Sequence, residues 1–249
     1  MDALNALMLQ IDWGADEALE ERPLDRRAVP PPLEAQPVPP PRPAAPTAAT
    51  PLARAQALAE GAADRAVLLA ALETFDGCAL RATATSLVFA EGNPDSGLVL
   101  VADVPGAAED RAGIPFANPF LDRMLASIRL DRSHVFMTSL VPWRPPGDRK
   151  PTETEVQLCL PFLLRHLALL RPQRVVLFGA LAGRTLLPSS GRRRRGVWHA
   201  LTAPGLTPLP ALALAALSHI QATPAAKRDA WADLLLLRRA LDADSSPDN

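Results

Sequence analysis

From about residue 52 onward, short apolar runs alternate with longer stretches whose apolar side chains recur at every third or fourth position. The short runs predict strands, at 87–89, 98–103, 134–140, 174–179 and near 210–214. The longer stretches predict helices, at 52–72, near 119–129, at 153–169, near 180–187 and at 224–241. Strands that alternate with helices are typical of parallel βαβ units. The pattern therefore predicts an α/β domain whose doubly wound, mainly parallel four-stranded sheet carries helices on both faces.

Two helix starts are marked by the residue types at their first positions. Thr152 and Glu155 have the Thr-x-x-Glu spacing of a capping box, and apolar positions at helical spacing follow them. Thr223 followed by Pro224 places a capping residue before a proline in the first helical turn. We therefore expect helices to begin at these two points.

The chain that precedes this region differs from it in composition. Ten of the 27 prolines lie within residues 28–51, which predicts an extended linker there because such a segment cannot pack a core. Residues 1–27 form a separate acidic element with the pattern of one short amphipathic helix. It is a candidate docking peptide for a protein partner, or else a helix that folds back or stays loose. The main domain is expected over 52–243, followed by a disordered tail over 244–249.

Charge is balanced overall but unevenly distributed. The 249 residues carry a formal charge of −1, with seven acids and three arginines in residues 1–27 and three acids without a base in residues 240–249. Residues 28–239 therefore carry a net charge of about +6, which is compatible with a polyanionic partner. The balanced total excludes a protein that packages nucleic acid through bulk positive charge.

The expected compartment follows from what the sequence lacks. Two cysteines are too few for a disulfide framework, and the N-terminal residues have no basic stretch followed by an apolar run. No apolar run approaches the roughly 20 residues that a membrane span needs. We therefore expect a cytoplasmic protein without membrane contact. The protein is further expected to be a monomer.

Candidate chemistry lies in the loops that follow the predicted strands. In a doubly wound sheet, ligands bind where the carboxyl ends of neighbouring parallel strands converge. One such loop reads Ala-Asp-Val-Pro-Gly over 102–106, and another runs over 139–149 with Pro-Trp-Arg-Pro-Pro-Gly at its centre. A glycine loop that would cradle phosphates after a strand is absent from the sequence, which disfavours a nucleotide-binding module.

Several sequence runs, taken together and in order, carry a family resemblance. They are CALRATATSLVFAEGNP from Cys78, LVLVADVPGAAEDRAGIPF from Leu98, HVFMTSLVPWRPPGDRKPTETEVQLCLPFLLRHLALLRP from His134, RRGVW from Arg194 and TPAAKRDAWADL from Thr223. Over about 75–241 the chain resembles the uracil-DNA glycosylase superfamily, in particular its type 4 and type 5 branch. The resemblance implies an enzyme of base-excision repair. Such an enzyme flips uracil or a related deaminated base out of DNA and hydrolyses its bond to the sugar.

The resemblance assigns three loop residues to this reaction. Asp103 stands for the family's Glu, and its carboxylate would hold water and stabilise the cationic sugar, the alternative being an Asp that caps a turn. Phe116 falls on the position that stacks on the flipped base, although a core role for its ring stays open. Ala102 replaces a family glycine and adds a methyl group where backbone approaches the substrate.

Two further positions depart from the family pattern. Ser139 stands where relatives have the Asn that reads the base edge, and a serine hydroxyl offers fewer hydrogen bonds. Its alternative role is that of a turn residue bonded to its own backbone. The family's His-Pro motif falls on Ala216 and Leu217 when no gap is allowed. A deletion of about three residues would place His219 there instead, as the group that assists departure of the base.

The resemblance also raises the question of a metal cluster. Type 4 relatives hold an iron–sulfur cluster on four cysteines. Cys78 and Cys159 match two of those positions, whereas Phe75 and Trp143 occupy the other two. We therefore expect no iron, with both cysteines buried as small hydrophobic residues.

Arginines in two loops are candidates for contacts with DNA phosphates. Arg194 and Arg195 end a run of four arginines that lies near the DNA-facing side in the family register, and a solvated charge run is the alternative. Arg144 and Arg149 would add contacts that position the duplex without reading its sequence. The main rival for the whole chain is a catalytically degenerate paralogue that binds DNA or protein without cleavage.

Overall fold

The computed structural model describes residues 49–188, 196–203 and 205–245, together with Met8 and Trp13. The chain separates into two units, Met1–Thr47 and Ala48–Asn249. Met8 and Trp13 are exposed. The rest of the predicted N-terminal element, the predicted linker up to residue 48 and residues 246–249 of the predicted tail lie outside the described residues. The first two residues of that predicted tail, 244–245, instead end the last helix, Pro224–Ser245.

The described residues of the second unit form six strands and eight α-helices. The strands are β1 (Ala90–Gly92), β2 (Leu98–Ala102), β3 (Phe136–Ser139), β4 (Arg174–Phe178), β5 (Trp198–Leu201) and β6 (Leu209–Leu214). The helices are α1 (Pro51–Gly61), α2 (Arg65–Thr74), α3 (Ala107–Ala112), α4 (Pro119–Ser127), α5 (Glu153–Leu170), α6 (Ala180–Leu186), α7 (Leu217–Ala222) and α8 (Pro224–Ser245). Short 3-10 helices lie at Ala79–Ala82, Arg132–His134 and Pro146–Asp148.

The strands form one sheet in the order β1-β3-β2-β4-β6-β5. The four central strands are parallel to one another, which confirms the predicted parallel sheet. β1 and β5 pair antiparallel at the two edges, so the predicted four strands are two fewer than the sheet contains. The predicted strand over 87–89 lies instead at 90–92, and the edge strand over 198–201 is missing from the prediction.

Apolar clusters cover both faces of the sheet, as predicted. On one face, α1, α2, α5 and α6 pack against strand residues such as Val101 and Leu177. On the other face, α4, α7 and α8 pack against residues such as Leu100 and Val176. Because successive strand residues point to opposite faces, a strand covered on both sides is apolar throughout, as β2 is.

Both marked helix starts are confirmed. The Glu155 N–H donates to Thr152 Oγ1 at 3.2 Å and the Thr152 N–H donates to Glu155 Oε2 at 2.7 Å, which closes the capping box of α5. α8 begins directly after Thr223. The predicted helix over 52–72 is two helices, because Asp64 caps a new helix by accepting the Val67 N–H. None of the helices in the described ranges is long and apolar enough to cross a bilayer.

The strand register brings the carboxyl ends of the central strands to one level. Ala102, the last residue of β2, pairs with Ser139 at the end of β3 and with Phe178 at the end of β4. Phe178 in turn pairs with Leu214 at the end of β6. The loops that follow these strands therefore converge at one edge of the sheet, where ligands bind in folds of this type.

Candidate active site

A cleft of about 350 Å³ opens at this carboxyl edge of the sheet. The loops that follow β2, β3 and β6 contribute to its wall, together with the last residue of β4 and the N-cap of α4. Among the side chains that line it are those of Ala102, Asp103, Phe116, Asn118 and Arg149. The structure therefore brings a carboxylate and an aromatic ring from separate loops to the same cavity.

Asp103 is half-buried on the cleft wall, where its carboxylate caps a neighbouring helix. Oδ1 accepts a hydrogen bond from the Ala182 N–H at 2.6 Å, and Oδ2 accepts one from the Leu181 N–H at 3.1 Å. Both donors lie in the first turn of α6, whose N–H groups have no partner within the helix. Asp103 therefore caps a helix that is distant in sequence, not the adjoining turn that the alternative role implied, and each carboxylate oxygen keeps a second lone pair for another ligand.

The surroundings of Asp103 raise the pKa of its carboxyl group, and its carboxylate in turn requires a glycine at position 179. Burial raises the pKa of the Asp103 carboxyl above its ordinary value, against the two backbone N–H donors and the charge of Arg184, which lower it. Gly179 has φ +122°, and a Cβ atom at this residue would lie 2.1 Å from Asp103 Oδ2. The carboxylate therefore occupies space that only a glycine at this position leaves open.

Phe116 forms part of the cleft wall with its backbone in the left-handed region. Its φ is 54°, a conformation that costs a residue with a side chain roughly 1–3 kcal/mol. The ring packs edge-to-face on Phe178, with ring centroids 5.3 Å apart, and only 3% of the residue is exposed. Phe116 is therefore a core residue that also lines the cleft, and its stacking on a base stays a prediction.

Ser139 does not lie where the resemblance implied. It is buried at the end of β3 and is not among the residues that line the cleft. Its Oγ has no hydrogen-bond partner among the described residues, so the turn-residue alternative is not seen either. It borders a separate cavity of about 10 Å³ together with His166. Because this hydroxyl is enclosed within the fold, it is not placed to read the edge of a base in the cleft.

The cleft distinguishes the two alignments of the His-Pro position. Ala216 and Leu217, which the gap-free alignment selects, both line it. His219 is exposed on α7 and lies outside the cleft-lining residues. Ser218, the residue before His219, also lines the cleft, whereas His219 does not. The position of His219 therefore disagrees with the role expected for it.

Comparison with known proteins bears on what this cleft does. Residues 89–235, more than half of the chain, match the family model of the uracil DNA glycosylase superfamily. The chain belongs to this superfamily. The matched residues include β2 to β6 and the loops that line the cleft.

Three curated relatives carry the name type-4 uracil-DNA glycosylase. The protein from Pyrobaculum aerophilum is 35% identical over 125 residues, which cover 49% of this chain and 64% of that protein. The protein from Archaeoglobus fulgidus is 41% identical over 108 residues, covering 42% and 54%. The protein from Thermotoga maritima is 36% identical over 108 residues, covering 42% and 56%. The chain thus spans between half and two thirds of the length of these relatives.

The four positions that match the iron–sulfur ligands of type 4 relatives lie together in the hydrophobic core. Cys78 and Cys159 are buried free thiols, and Phe75 and Trp143 are 1% and 2% exposed. The Cys159 thiol hydrogen-bonds to Cys78, which lowers the pKa of Cys78 to about 7, while this bond and burial raise that of Cys159. Two buried rings in place of two thiolates do not fit a four-cysteine cluster. Within the described ranges, no group of three or more metal-ligating side chains is found.

Arg144 and Arg149 were predicted to contact phosphates, and in the structure each pairs with a carboxylate. Arg149 donates to Glu155 through Nη1 at 2.9 Å and Nη2 at 2.6 Å, which lowers the pKa of Glu155 to about 2. The Nε of Arg144 donates to Asp148 at 2.8 Å. A phosphate would therefore have to share each guanidinium with a carboxylate. The predicted contacts at 194–195 lie outside the described residues.

Asn118 is a cleft residue that the sequence reasoning missed. Its Oδ1 accepts the Phe120 N–H at 2.9 Å as the N-cap of α4, and its Nδ2 donates to Gln221 Oε1 at 3.1 Å. One N–H and one lone pair of the amide remain for a ligand. An Asn-Pro pair before an apolar-periodic stretch is a helix-start signal, but it carries no sign that the capping residue also lines a cavity.

Proposed function

We propose that this protein is a DNA glycosylase that hydrolyses the N-glycosidic bond of uracil, or of a related deaminated base, in DNA. The supporting observation is that Asp103 and Phe116 line one cleft at the carboxyl edge of the sheet in a chain of this superfamily. A cleft of about 350 Å³ is in the range of small-ligand pockets, so it has room for one everted base.

In the proposed reaction, the bond between C1′ of the deoxyribose and the base nitrogen breaks, and a water oxygen bonds to C1′. The base leaves with the electron pair of the broken bond and takes up a proton, and the attacking water loses a proton. Positive charge develops on the sugar, so a nearby carboxylate stabilises the transition state. We assign this role to Asp103, whose unused lone pairs can also orient the water.

The remaining cleft residues bind the base in this proposal. Phe116 supplies the ring on which the base stacks, and Ala102 forms part of the floor. Among the described cleft-lining residues, Asn118 is the sole side-chain amide, and we assign its remaining N–H and lone pair to the base edge. Ser139 and His219 receive no direct role because neither lines the cleft. The polyanionic partner is DNA itself.

One observation favours a second candidate function. No imidazole is found among the described residues that line the cleft, so the negative charge that develops on a departing base has no histidine to support it. A protein that binds DNA and flips a base without cleaving the glycosidic bond would have a cleft of this kind. The two candidates differ in whether free base is released.

The first prediction is base release from oligonucleotides that carry uracil, hypoxanthine or xanthine. We expect the wild-type chain to release at least one of these bases, and Phe116→Ala to slow release by about 10- to 100-fold, because stacking contributes roughly 1–3 kcal/mol per base. Phe120→Ala removes the same ring from α4 outside the cleft and should keep the wild-type rate. Release is measured by chromatography of the free base.

Each outcome of this assay is informative. Binding of lesion-containing DNA without release of any base would support the second candidate. Absence of both binding and release would overturn both proposals. Equal losses in Phe116→Ala and Phe120→Ala would remove Phe116 from the site.

We further propose that the protein works without an iron–sulfur cluster. Support comes from Phe75 and Trp143, whose buried rings fill two of the positions of the four-cysteine set. We expect background iron in metal analysis of protein made in iron-replete cells. The double variant Cys78→Ala and Cys159→Ala should lose about 1 kcal/mol of stability per site and keep its excision rate. Iron that binds stoichiometrically and is lost in the double variant would contradict this prediction.

A further inference from the structure

Arg132 is hydrogen-bonded to the loop that carries Phe116. Its guanidinium donates through Nε to Asp122 Oδ1 at 2.7 Å, through Nη1 to Glu91 Oε2 at 2.9 Å and through Nη2 to the carbonyl oxygen of Phe116 at 2.8 Å. Glu91 lies on β1 and Asp122 lies on α4. One side chain therefore ties an edge strand, a helix and the Phe116 loop together.

The bond to the Phe116 carbonyl matters because this residue has an unfavourable backbone conformation. With φ at 54°, Phe116 keeps its geometry only as long as neighbouring groups hold it there. The Asn118 N–H donates to the same carbonyl at 2.6 Å, so the oxygen is held from two sides. Since the carbonyl and the ring branch from the same Cα atom, a rotation of this peptide would move the ring relative to the cleft.

The guanidinium is well suited to this task. Its planar fork presents donors in fixed directions, and its position is set by two carboxylates before it reaches the Phe116 carbonyl. The side chain is 28% exposed, so it lies at the surface of the fold. Arg132 is not among the residues that line the cleft, so it acts on a bound base indirectly, through the Phe116 loop to which it is hydrogen-bonded.

We propose that Arg132 is a positioning residue of the glycosylase reaction, because it holds the Phe116 ring in the plane on which the flipped base stacks. This inference rests on the proposed function. It assigns a part in the reaction to an arginine in the short 3-10 helix between α4 and β3, outside the cleft.

The test is a double-mutant cycle with single-turnover excision as the readout. Arg132→Met should slow excision by about 10- to 100-fold in the wild-type background, because small misplacements of a positioning group carry losses of this order. In the Phe116→Ala background, where no ring remains to be positioned, Arg132→Met should cause no further loss. Arg132→Lys should retain part of the rate, since an ammonium can reach the carbonyl but cannot bind both carboxylates in the same plane.

Arg54→Met is the matched control, because Arg54 lies on α1, which packs on the opposite face of the sheet from Phe116, and pairs there with the exposed Asp76. It should keep the wild-type rate. Equal slowing by Arg132→Met in both backgrounds would overturn the inference, since it would indicate a general structural effect. If Arg132→Met does not fold, the same double-mutant cycle with Arg132→Lys tests whether Arg132 acts through the Phe116 ring. A wild-type chain that excises no base would instead overturn the proposed function, so the two failures are distinguishable.

Discussion

Asp103→Asn is expected to slow base excision by about a thousandfold, the order of loss seen when a group that acts on the reacting water is removed. The amide has no charge with which to balance a cationic sugar. It also turns one acceptor into a donor, so that an NH₂ group would face the Leu181 or Ala182 N–H. The variant thus loses the proposed chemistry together with one hydrogen bond to α6.

The pH dependence of the reaction tests the same assignment. Excision requires the ionised carboxylate, so the rate should fall as pH decreases through the pKa of Asp103. Because burial raises that pKa, the fall should be centred above the ordinary value of 3.8. The residual rate of Asp103→Asn should show no such fall. A wild-type rate that stays constant down to the onset of unfolding would argue against Asp103 as the essential carboxylate.

Acid unfolding is separable from the loss of excision rate, because carboxyl groups other than Asp103 govern the unfolding. Glu155 has its pKa lowered to about 2 by Arg149, so its contribution to stability is complete above about 4.5 and is lost as pH falls from there toward 2. Asp103 acts in the opposite sense. Its raised pKa means that folding favours its protonated form, so its stabilising effect is lost as pH rises through the folded pKa. Acid should therefore reduce the excision rate before it unfolds the protein.

Asp110→Asn is the matched control for Asp103→Asn. Like Asp103, Asp110 accepts hydrogen bonds from two backbone N–H groups, those of Thr85 and Ser86, but it is buried and does not line the cleft. Both variants should lose about 1–3 kcal/mol of unfolding free energy in urea. Only Asp103→Asn should lose excision. A similar loss of activity in Asp110→Asn would mean that the effect at Asp103 is structural.

The parallel centre of the fold was predictable because burial on both faces leaves a clear pattern. The run ending at Ala102 is apolar throughout, and those ending at Ser139 and Phe178 are mainly apolar and almost entirely buried, which is the pattern of strands covered by helices on both sides. The edge strands over 90–92 and 198–201 are short and partly exposed, so their residues carry no such run. Antiparallel pairing at a sheet edge depends on tertiary contacts that a local pattern does not record.

The cleft was predictable only in part, for a similar reason. Asp103 follows β2 directly, so the topology carries it to the carboxyl edge, whereas Phe116 was indicated by the family resemblance. Whether a side chain at that edge faces the cavity depends on the local turn. Ser139 ends a strand but is enclosed within the fold, and His219 lies on a helix that directs it outward. The second function of Asp103, as the cap of α6, joins residues about 80 positions apart and has no local signal.

Gly179→Ala is expected to destabilise the domain by about 4 kcal/mol, the sum of backbone strain and a forced steric overlap. The residue has φ +122°, a value that side-chain-bearing residues rarely adopt, and a Cβ there would lie 2.1–2.4 Å from three atoms of the Asp103 carboxylate. Relief requires Asp103 to leave the N-terminus of α6. Excision should therefore be lost together with stability.

Gly183→Ala provides the control within the same helix. A Cβ there would make an ordinary contact at 3.9 Å with the Ala213 Cβ, so the change should be neutral or should stabilise α6 by up to about 1 kcal/mol. Urea unfolding of both variants, alone and combined with Asp103→Ala, separates the cost of backbone strain from that of steric overlap with the carboxylate. If the carboxylate is the obstacle, Asp103→Ala should remove about half of the cost of Gly179→Ala and leave the backbone strain. An equal cost in both backgrounds would mean that strain alone requires this glycine, and that Asp103 is not held in the position from which the proposed reaction is derived.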